Sequence, residues 1–341
     1  MQPSLAAALI RFPYGISPAK VRLDYLYISV SYDEYIQLQA LKVREATLNK
    51  TRRRFELHIL PKLADIRLTA LNPRIMQDWK LSVDPSLKPE TKKGFYAELR
   101  AILNYAVRME YIPRNPLLSV GNFSNSYERK SGIDFYTPDE FKQFIAAAET
   151  AAEKYEVKHN SVYEWNYYIF FMIAFYAGLR KGEIFALRWS DIKDGIISVS
   201  RSVNQKLKGD DRETLPKTKS SVRTLQMPRP LSIALEEHKS RYSQLDGFND
   251  DWHICGGEKC IRDTTVGIKN TEYSTAAGIK HIRIHDFRHS HASVLANNGI
   301  NIQEIARRLG HGDVQTTWRV YAHLYPQEEE RAISILNNLN I

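Results

Sequence analysis

The chain has 341 residues, of which 43% are hydrophobic and 26% are charged. This composition excludes a disordered or fibrous protein, and the length favours two globular domains over one. Lys and Arg number 48 against 39 Asp and Glu, which gives a net charge of +9. Such a charge favours a polyanionic partner such as nucleic acid, although many basic proteins bind none.

The sequence has few features of an exported or membrane protein. Its two cysteines, Cys255 and Cys260, are too few for a disulfide scaffold and fit a reducing compartment. Their C-G-G-E-K-C spacing is interpreted as a turn, because a zinc site needs about four ligands and no second pair follows. The apolar run 167–178 is shorter than the ~20 residues of a membrane span, and no basic residue precedes the apolar N-terminal run. We therefore expect a soluble, cytoplasmic protein.

The first part of the chain has the periodicity of a helical bundle. Apolar residues recur at helical intervals over 32–63, around 75–79 and over 91–111, and Pro61 is expected to end the first segment. One basic cluster lies in that segment and comprises Lys50, Arg52, Arg53 and Arg54. This cluster could contact DNA phosphates, or it could be a solvated helix face.

A change in composition separates this bundle from a second domain. Residues 121–134 are polar, rich in Ser, Asn and Gly, and aperiodic, which predicts a linker. Residues 137–140 then read T-P-D-E, with an N-cap Thr, a Pro at the first helical position and a Glu at the third. Farther on, 195–203 and 221–227 have the alternation of strands, with turns and a short strand expected over 204–220. The chain is therefore predicted to be mainly α with a small antiparallel β-sheet.

Three motifs rich in basic residues lie in the second domain: G-L-R-K-G-E, H-D-F-R and L-G-H-G. Their ionisable residues include Arg180, Glu183, His285, Arg288 and His311. A tyrosine, Tyr321, follows His311 by ten positions. Each motif alone is common, but together and in this order they resemble the tyrosine recombinase, or phage integrase, family. The resemblance is specific over 135–325 and looser over the helical bundle.

The resemblance implies a function for each motif. Tyr321 would attack a scissile DNA phosphate, form a 3′-phosphotyrosyl bond and release a 5′-hydroxyl. In the family, a lysine in the turn before the last strand of the small sheet protonates the leaving oxygen. Lys217 matches that place, and Lys219 is the alternative. No cofactor or metal is implied, and the sequence contains no Asp/Glu cluster suited to Mg²⁺.

The chemistry of phosphoryl transfer calls for these residue types. Negative charge accumulates on the nonbridging oxygens, and the guanidinium groups of Arg180 and Arg288 match that geometry. A spacing of three puts His285 and Arg288 on one helix face. Gly310 is expected to end a helix in the left-handed conformation, so that His311 lies in a tight turn between two helices. A general acid is also needed because a 5′-alkoxide is a poor leaving group.

Residues beside the motifs are expected to have supporting roles. Those expected to orient Arg180 and to pack the core are Glu183, Trp189 and Asp191. Histidines expected to be structural rather than chemical are His289, His291 and His323.

The resemblance also implies a domain order and partners. The expected segments are an N-terminal extension 1–24, a helical core DNA-binding domain 25–120, a linker 121–134, an α+β catalytic domain 135–326 and a C-terminal helix 327–341. The extension is too short for the arm-binding domain of many integrases, and the last helix would dock on a neighbouring protomer or on its own domain. Family members act as homotetramers on double-stranded DNA with specific recombination sites, and accessory DNA-bending or directionality proteins are further expected partners.

We therefore expect a site-specific recombinase that integrates or excises a mobile element such as a phage or a conjugative transposon. A recombinase that resolves chromosomes or plasmids would share every residue named above. A type IB topoisomerase uses similar residues without synapsis. A DNA-binding regulator without catalysis is disfavoured because the full set of catalytic residues is present.

Overall fold

A computed structural model divides the chain into two compact units, Met1–Lys130 and Ser131–Ile341. It describes residues 26–123, 134–205, 213–214, 221–324, 333–334 and 336–338. The predicted extension 1–24 lies outside these residues, as do most of the predicted linker and of the predicted C-terminal helix. Within the described ranges, no helix has both the length and the apolar character needed to cross a membrane.

The first unit is a helical bundle. Its helices are α1 Ile28–Ala40, α2 Glu45–Arg54, α3 Leu60–Leu63, α4 Pro73–Ser82 and α5 Pro89–Arg108. The apolar face of α5, which includes Phe95, Leu99 and Ile102, is buried in the core of this unit. Because the helical period places these residues on one stripe, the bundle follows from the sequence pattern.

The segment 32–63 is not one helix, although it ends at residue 63 as predicted. The chain leaves α1 at Ala40 and re-enters a helix at Glu45. A π-helical turn, Phe55–Ile59, then joins α2 to α3, and Leu60 donates its backbone N–H to the Phe55 carbonyl. Pro61 lies in the first turn of α3, where its missing N–H costs nothing, so the helical path continues to Leu63.

The second unit combines helices with two small antiparallel sheets, and the predicted fold class is confirmed. Its described helices are α6 Pro138–His159, α7 Trp165–Tyr176, α8 Lys181–Ala186, α9 Arg229–Tyr242, α10 Asp263–Ala276, α11 Asp286–Asn297, α12 Ile302–Leu309 and α13 Val314–Tyr321. The predicted start of α6 is confirmed: Thr137 and Glu140 form a capping box, with bonds of 2.8 and 3.2 Å.

The predicted strand 195–203 is interrupted at residues 200–201 and forms two strands. Strands β1 Ile192–Lys193, β2 Ile196–Val199 and β5 Arg223–Gln226 form one sheet, and β3 Ser202–Val203 pairs with β4 Glu213–Thr214. The chain changes partner after Val199, which pairs with Arg223 in the antiparallel register. Arg223 and Leu225 are the buried positions of β5, so an arginine projects into the core.

Helix α7 is the centre of the second core and leads directly to the first motif. Nearly all its residues are buried, as expected for the apolar run 167–178. Gly178 then turns the chain with φ of +62°, and a Cβ there would lie 2.6 Å from the His291 ring. Glycine is therefore required both for the backbone conformation and for the close approach of α11.

Candidate active site

Arg180 is held by Glu183 at the start of α8. The Glu183 carboxylate accepts from the Arg180 backbone N–H at 2.9 Å and from its Nη1 at 2.8 Å. Glu183 is 5% exposed, whereas the Arg180 side chain is 37% exposed. The buried carboxylate therefore orients a guanidinium group that solvent, or a ligand, can still reach.

Arg223 binds the other side of the same carboxylate and lies outside the predicted motifs. Its Nη2 donates to Glu183 Oε2 at 2.9 Å, and its Nη1 donates to Oε1 at 3.3 Å. Burial alone would raise the pKa of Glu183, but Arg223 and then Arg180 outweigh it and hold the pKa below its usual value. Strand alternation could have predicted this pairing, because it places Arg223 on the same face as the apolar Leu225, where a charged group must be paired.

Arg288 is buried in α11 and donates to the ends of two other helices. Its Nη1 binds the Gly178 carbonyl at 2.8 Å, and its Nη2 binds the Leu309 carbonyl. Burial, followed by the charge of Arg180, lowers the pKa of Arg288 to about 9, which leaves it charged at neutral pH.

Three successive carbonyls at the end of α12, here called the carbonyl triplet, bring the arginines together. Each accepts from a different arginine: Arg308 O from Arg223 Nε at 2.7 Å, Leu309 O from Arg288 Nη2, and Gly310 O from Arg180 Nη2 at 3.1 Å. Gly310 adopts φ of +64°, as predicted, and frees these carbonyls from the helix.

His311 follows the carbonyl triplet directly, in the turn predicted for it. Its Nδ1 lies 2.7 Å from Oγ1 of the buried Thr317, which was not among the predicted site residues. Burial, then the charges of Arg288 and Arg180, lower the pKa of His311 to about 4, so the ring is neutral at pH 7. Thr317 thus fixes the ring through one nitrogen, and Nε2 remains for a ligand.

His285 lies at the N-cap of α11 rather than inside the helix. Its φ of −67° and ψ of −25° are helical, so the predicted spacing to Arg288 still holds. The residue as a whole is exposed, but its ring packs edge-on against His289, with centroids 5.2 Å apart. Its pKa is lowered, first by desolvation and then by the charge of Arg288.

Tyr321 is the last residue of α13 and is 2% exposed. It packs in a small apolar cluster with Ala296, Ile305 and Leu309. Its Oη lies 2.5 Å from Nδ1 of His289, a contact that was not expected. Burial raises the pKa of Tyr321, so the hydroxyl is protonated at neutral pH.

Other candidate residues have different positions. Lys217 and Lys219 lie outside the described residues, as does the side chain of His323. Trp189 is buried in the core. Asp191 does not orient Arg180 as expected; it binds Arg201 Nη2 at 2.6 Å and the Arg188 backbone N–H at 2.9 Å. The carboxylates of Glu183 and Asp191 thus bind different arginines, because Glu183 lies within α8 and Asp191 follows this helix.

Comparison with known proteins identifies the family. Residues 134–328 match the family described as "Phage integrase family", and residues 29–80 match "Phage integrase, N-terminal SAM-like domain". This chain belongs to the phage integrase family. It is accordingly a site-specific recombinase of the integrase type, which cleaves and rejoins DNA, and the predicted family and enzyme class are confirmed.

Several relatives of the recombinase are similar over most of its length. The ICEBs1 integrase of Bacillus subtilis is 30% identical over 267 residues, which are 75% of this chain and 68% of that protein. A XerC-like tyrosine recombinase of Caldanaerobacter subterraneus is 26% identical over 278 residues, 74% of this chain and 67% of that one.

Solved structures share the fold of the recombinase. A Tn1549 transposon integrase in complex with a circular intermediate DNA has a TM-score of 0.69 at 19% identity, over 92% of this chain and 99% of that one. A lambda integrase tetramer bound to a Holliday junction has a TM-score of 0.64 at 16% identity, over 88% and 82% of the two chains.

The basic cluster of the N-terminal unit divides into exposed and engaged residues. Lys50, Arg52 and Arg53 are exposed on or near the last turns of α2. Arg54 is instead partly buried and paired with Glu98 of α5 at 3.2 Å. Arg54 therefore helps to join two helices, and the other three present their charges to solvent.

We predict that Glu183→Gln destabilises the recombinase by about 3–5 kcal/mol at pH 7, because Arg223 would remain buried without its counter-charge. The folded-state pKa of Glu183 lies below the unfolded value of about 4.3. The difference in unfolding free energy between the wild type and Glu183→Gln is therefore complete above the unfolded-state pKa. It is lost as the pH falls through the folded-state pKa. Urea unfolding over a series of pH values measures both effects.

Glu304→Gln is the matched control for this variant. Its carboxylate pairs with Arg307 at 2.7 Å on the surface of the same unit, and such pairs contribute less than about 1 kcal/mol. If Glu183→Gln loses no more unfolding free energy than the control, or if its loss does not change with pH, the buried pairing of Glu183 with Arg223 is contradicted.

Proposed function

We propose that the recombinase cleaves DNA by attack of Tyr321 on one scissile phosphate that Arg180, His285, Arg288 and His311 bind. The observation that carries this proposal is the carbonyl triplet, which gathers two candidate phosphate-binding arginines and is followed directly by His311. A site with several cationic and neutral donors around one position is suited to an oxyanion that gains charge in the transition state.

Arg180 and Arg288 would bind the nonbridging oxygens. Each guanidinium has five N–H groups, and the hydrogen bonds described above use two of them in each side chain. His285 and Nε2 of His311 would donate further hydrogen bonds. Because these donors are already held by the fold, little reorganisation is needed when charge develops.

The proposed reaction exchanges one phosphodiester for another. Tyr321 Oη forms a bond to phosphorus, the bond to the 5′-oxygen breaks, and Lys217 protonates that oxygen. The product is a 3′-phosphotyrosyl link and a free 5′-hydroxyl. A 5′-hydroxyl of a partner strand then attacks the link and releases Tyr321, so the bond energy is retained without ATP.

We further propose that the substrate is double-stranded DNA with specific recombination sites, held by a homotetramer. The lambda integrase structures, a dimer on a core site and a tetramer on a Holliday junction, support this assembly. The exposed Lys50, Arg52 and Arg53 would contact DNA phosphates. The proposed organisation keeps a core DNA-binding domain at 25–120 and a catalytic domain at 135–326, in a cytoplasmic enzyme.

Integration and excision of a mobile element is the proposed biological role. The similarity to the ICEBs1 integrase and to the fold of the Tn1549 transposon integrase supports it. A resolving recombinase is the second candidate, because a XerC-like recombinase is 26% identical. Sequencing the DNA that crosslinks to the protein in cells separates the two, since element ends and chromosomal or plasmid sites differ.

We predict that Tyr321→Phe abolishes the covalent adduct that the wild type forms with a nicked half-site made from such recovered DNA. The phenyl ring fills the same buried site but has no nucleophilic oxygen. SDS gel electrophoresis of labelled DNA measures the adduct. Tyr163→Phe, an exposed tyrosine of the same unit, is the control and retains it. An undiminished adduct in Tyr321→Phe would exclude this nucleophile.

We predict that Lys217→Ala slows cleavage at least about 100-fold, the usual size of a general-acid effect. A 5′-bridging phosphorothiolate substrate restores the rate because a thiolate leaves without protonation. Quenched-flow or manual time courses of adduct formation on both substrates measure this. Lys219→Ala is the matched control and behaves as wild type on both. Failure of the sulfur substrate to rescue Lys217→Ala would rule out Lys217 as the acid.

A further inference from the structure

The histidine after Arg288 contacts the proposed nucleophile. His289 lies on α11, and its Nδ1 is 2.5 Å from Tyr321 Oη at the end of α13. The two rings have centroids 5.7 Å apart, and the His285 ring stands nearly perpendicular to that of His289 at 5.2 Å. Contacts with His285 at the start of α11 and with Tyr321 at the end of α13 therefore hold the His289 ring against Tyr321 Oη.

The buried tyrosine hydroxyl must lose its proton when it attacks phosphorus. The nearby guanidinium groups are donors only. Nδ1 of His311 is engaged with Thr317, and the Asp286 carboxylate is bound by Arg283 at 2.8 and 2.9 Å. His289 Nδ1, by contrast, is already in hydrogen-bond contact with the oxygen that must be deprotonated.

We propose that His289 is a catalytic residue whose Nδ1 accepts the Tyr321 proton as Oη bonds to phosphorus. The imidazole then carries that proton on Nδ1 beside its original Nε2–H. The proton returns to Oη when a 5′-hydroxyl displaces the tyrosine, so neither step consumes a proton. This inference rests on Tyr321 being the nucleophile, as proposed above.

The surroundings of His289 keep it in the form that can accept a proton. The charged and titratable groups that face it are His285, Asp286, Arg288 and Arg283 along its own segment, His311 in the turn after α12, and Tyr321 on α13. Burial first, and then His285, lower the pKa of His289 to about 4, so the ring is neutral at pH 7. A bound phosphate brings negative charge that favours the imidazolium, so the basicity of His289 rises when the substrate is present.

The test is adduct formation by His289→Asn, measured from pH 6.5 to 9 on the nicked half-site. An asparagine oxygen can take the place of Nδ1 and keep the hydrogen bond to Tyr321, but it cannot hold the proton. We expect a rate at least about 100-fold below wild type at pH 7. We also expect the rate of this variant to rise about tenfold per pH unit, because hydroxide must then remove the proton, while the wild type stays nearly flat.

His159→Asn is the matched control. His159 ends α6 on the surface and also packs against a tyrosine, Tyr155, with ring centroids 4.4 Å apart. A wild-type rate and pH profile in His289→Asn would overturn the inference, because hydrogen bonding alone would then suffice.

A second variant covers the case in which His289→Asn does not fold. His289→Ala, with its fold verified by thermal unfolding, is assayed with and without added imidazole. Restoration of the adduct by imidazole supports proton transfer, and lack of rescue contradicts it. If neither the wild type nor His159→Asn forms an adduct, the proposed nucleophilic function fails, and this inference fails with it.

Discussion

The arrangement of the candidate active site depends on the end of one short helix. Gly310 turns the chain out of α12, and the carbonyl triplet of Arg308, Leu309 and Gly310 then accepts hydrogen bonds from three arginines of three other elements. Carbonyls at a helix C-terminus are unpaired within the helix and carry partial negative charge, so guanidinium groups are their natural partners. This one helix end therefore gathers residues that are more than 100 positions apart in the sequence.

Such a concentration of positive charge is costly unless something offsets it. Glu183 offsets part of it, since its buried carboxylate lies between Arg180 and Arg223. The pKa values of His289 and His311 are both lowered to about 4, so these rings add no charge at neutral pH. The candidate site thus combines three arginines with one buried carboxylate and two imidazoles that are neutral at pH 7.

Much of this site could be predicted from the sequence because its motifs coincide with breaks between elements. Gly178 and Gly310 follow the ends of two helices, and Arg180, two residues after the first, donates to the carbonyl of the second. Other features depend on tertiary packing, which the spacing of residues in the sequence does not predict. They are the roles of Arg223 and Thr317 and the contact between His289 and Tyr321. In the same way, the apolar periodicity of 32–63 predicted the end of this segment but not the break after Ala40 or the π-helical turn Phe55–Ile59.

In the proposed reaction, Tyr321 Oη becomes bonded to the 3′-phosphate of the cleaved strand. Mass spectrometry of the purified DNA adduct, after nuclease and protease digestion, identifies both the modified residue and the linkage. We expect a peptide containing Tyr321 that carries a nucleotide through its 3′-phosphate. A nucleotide on another residue, or attached through its 5′-phosphate, would contradict it.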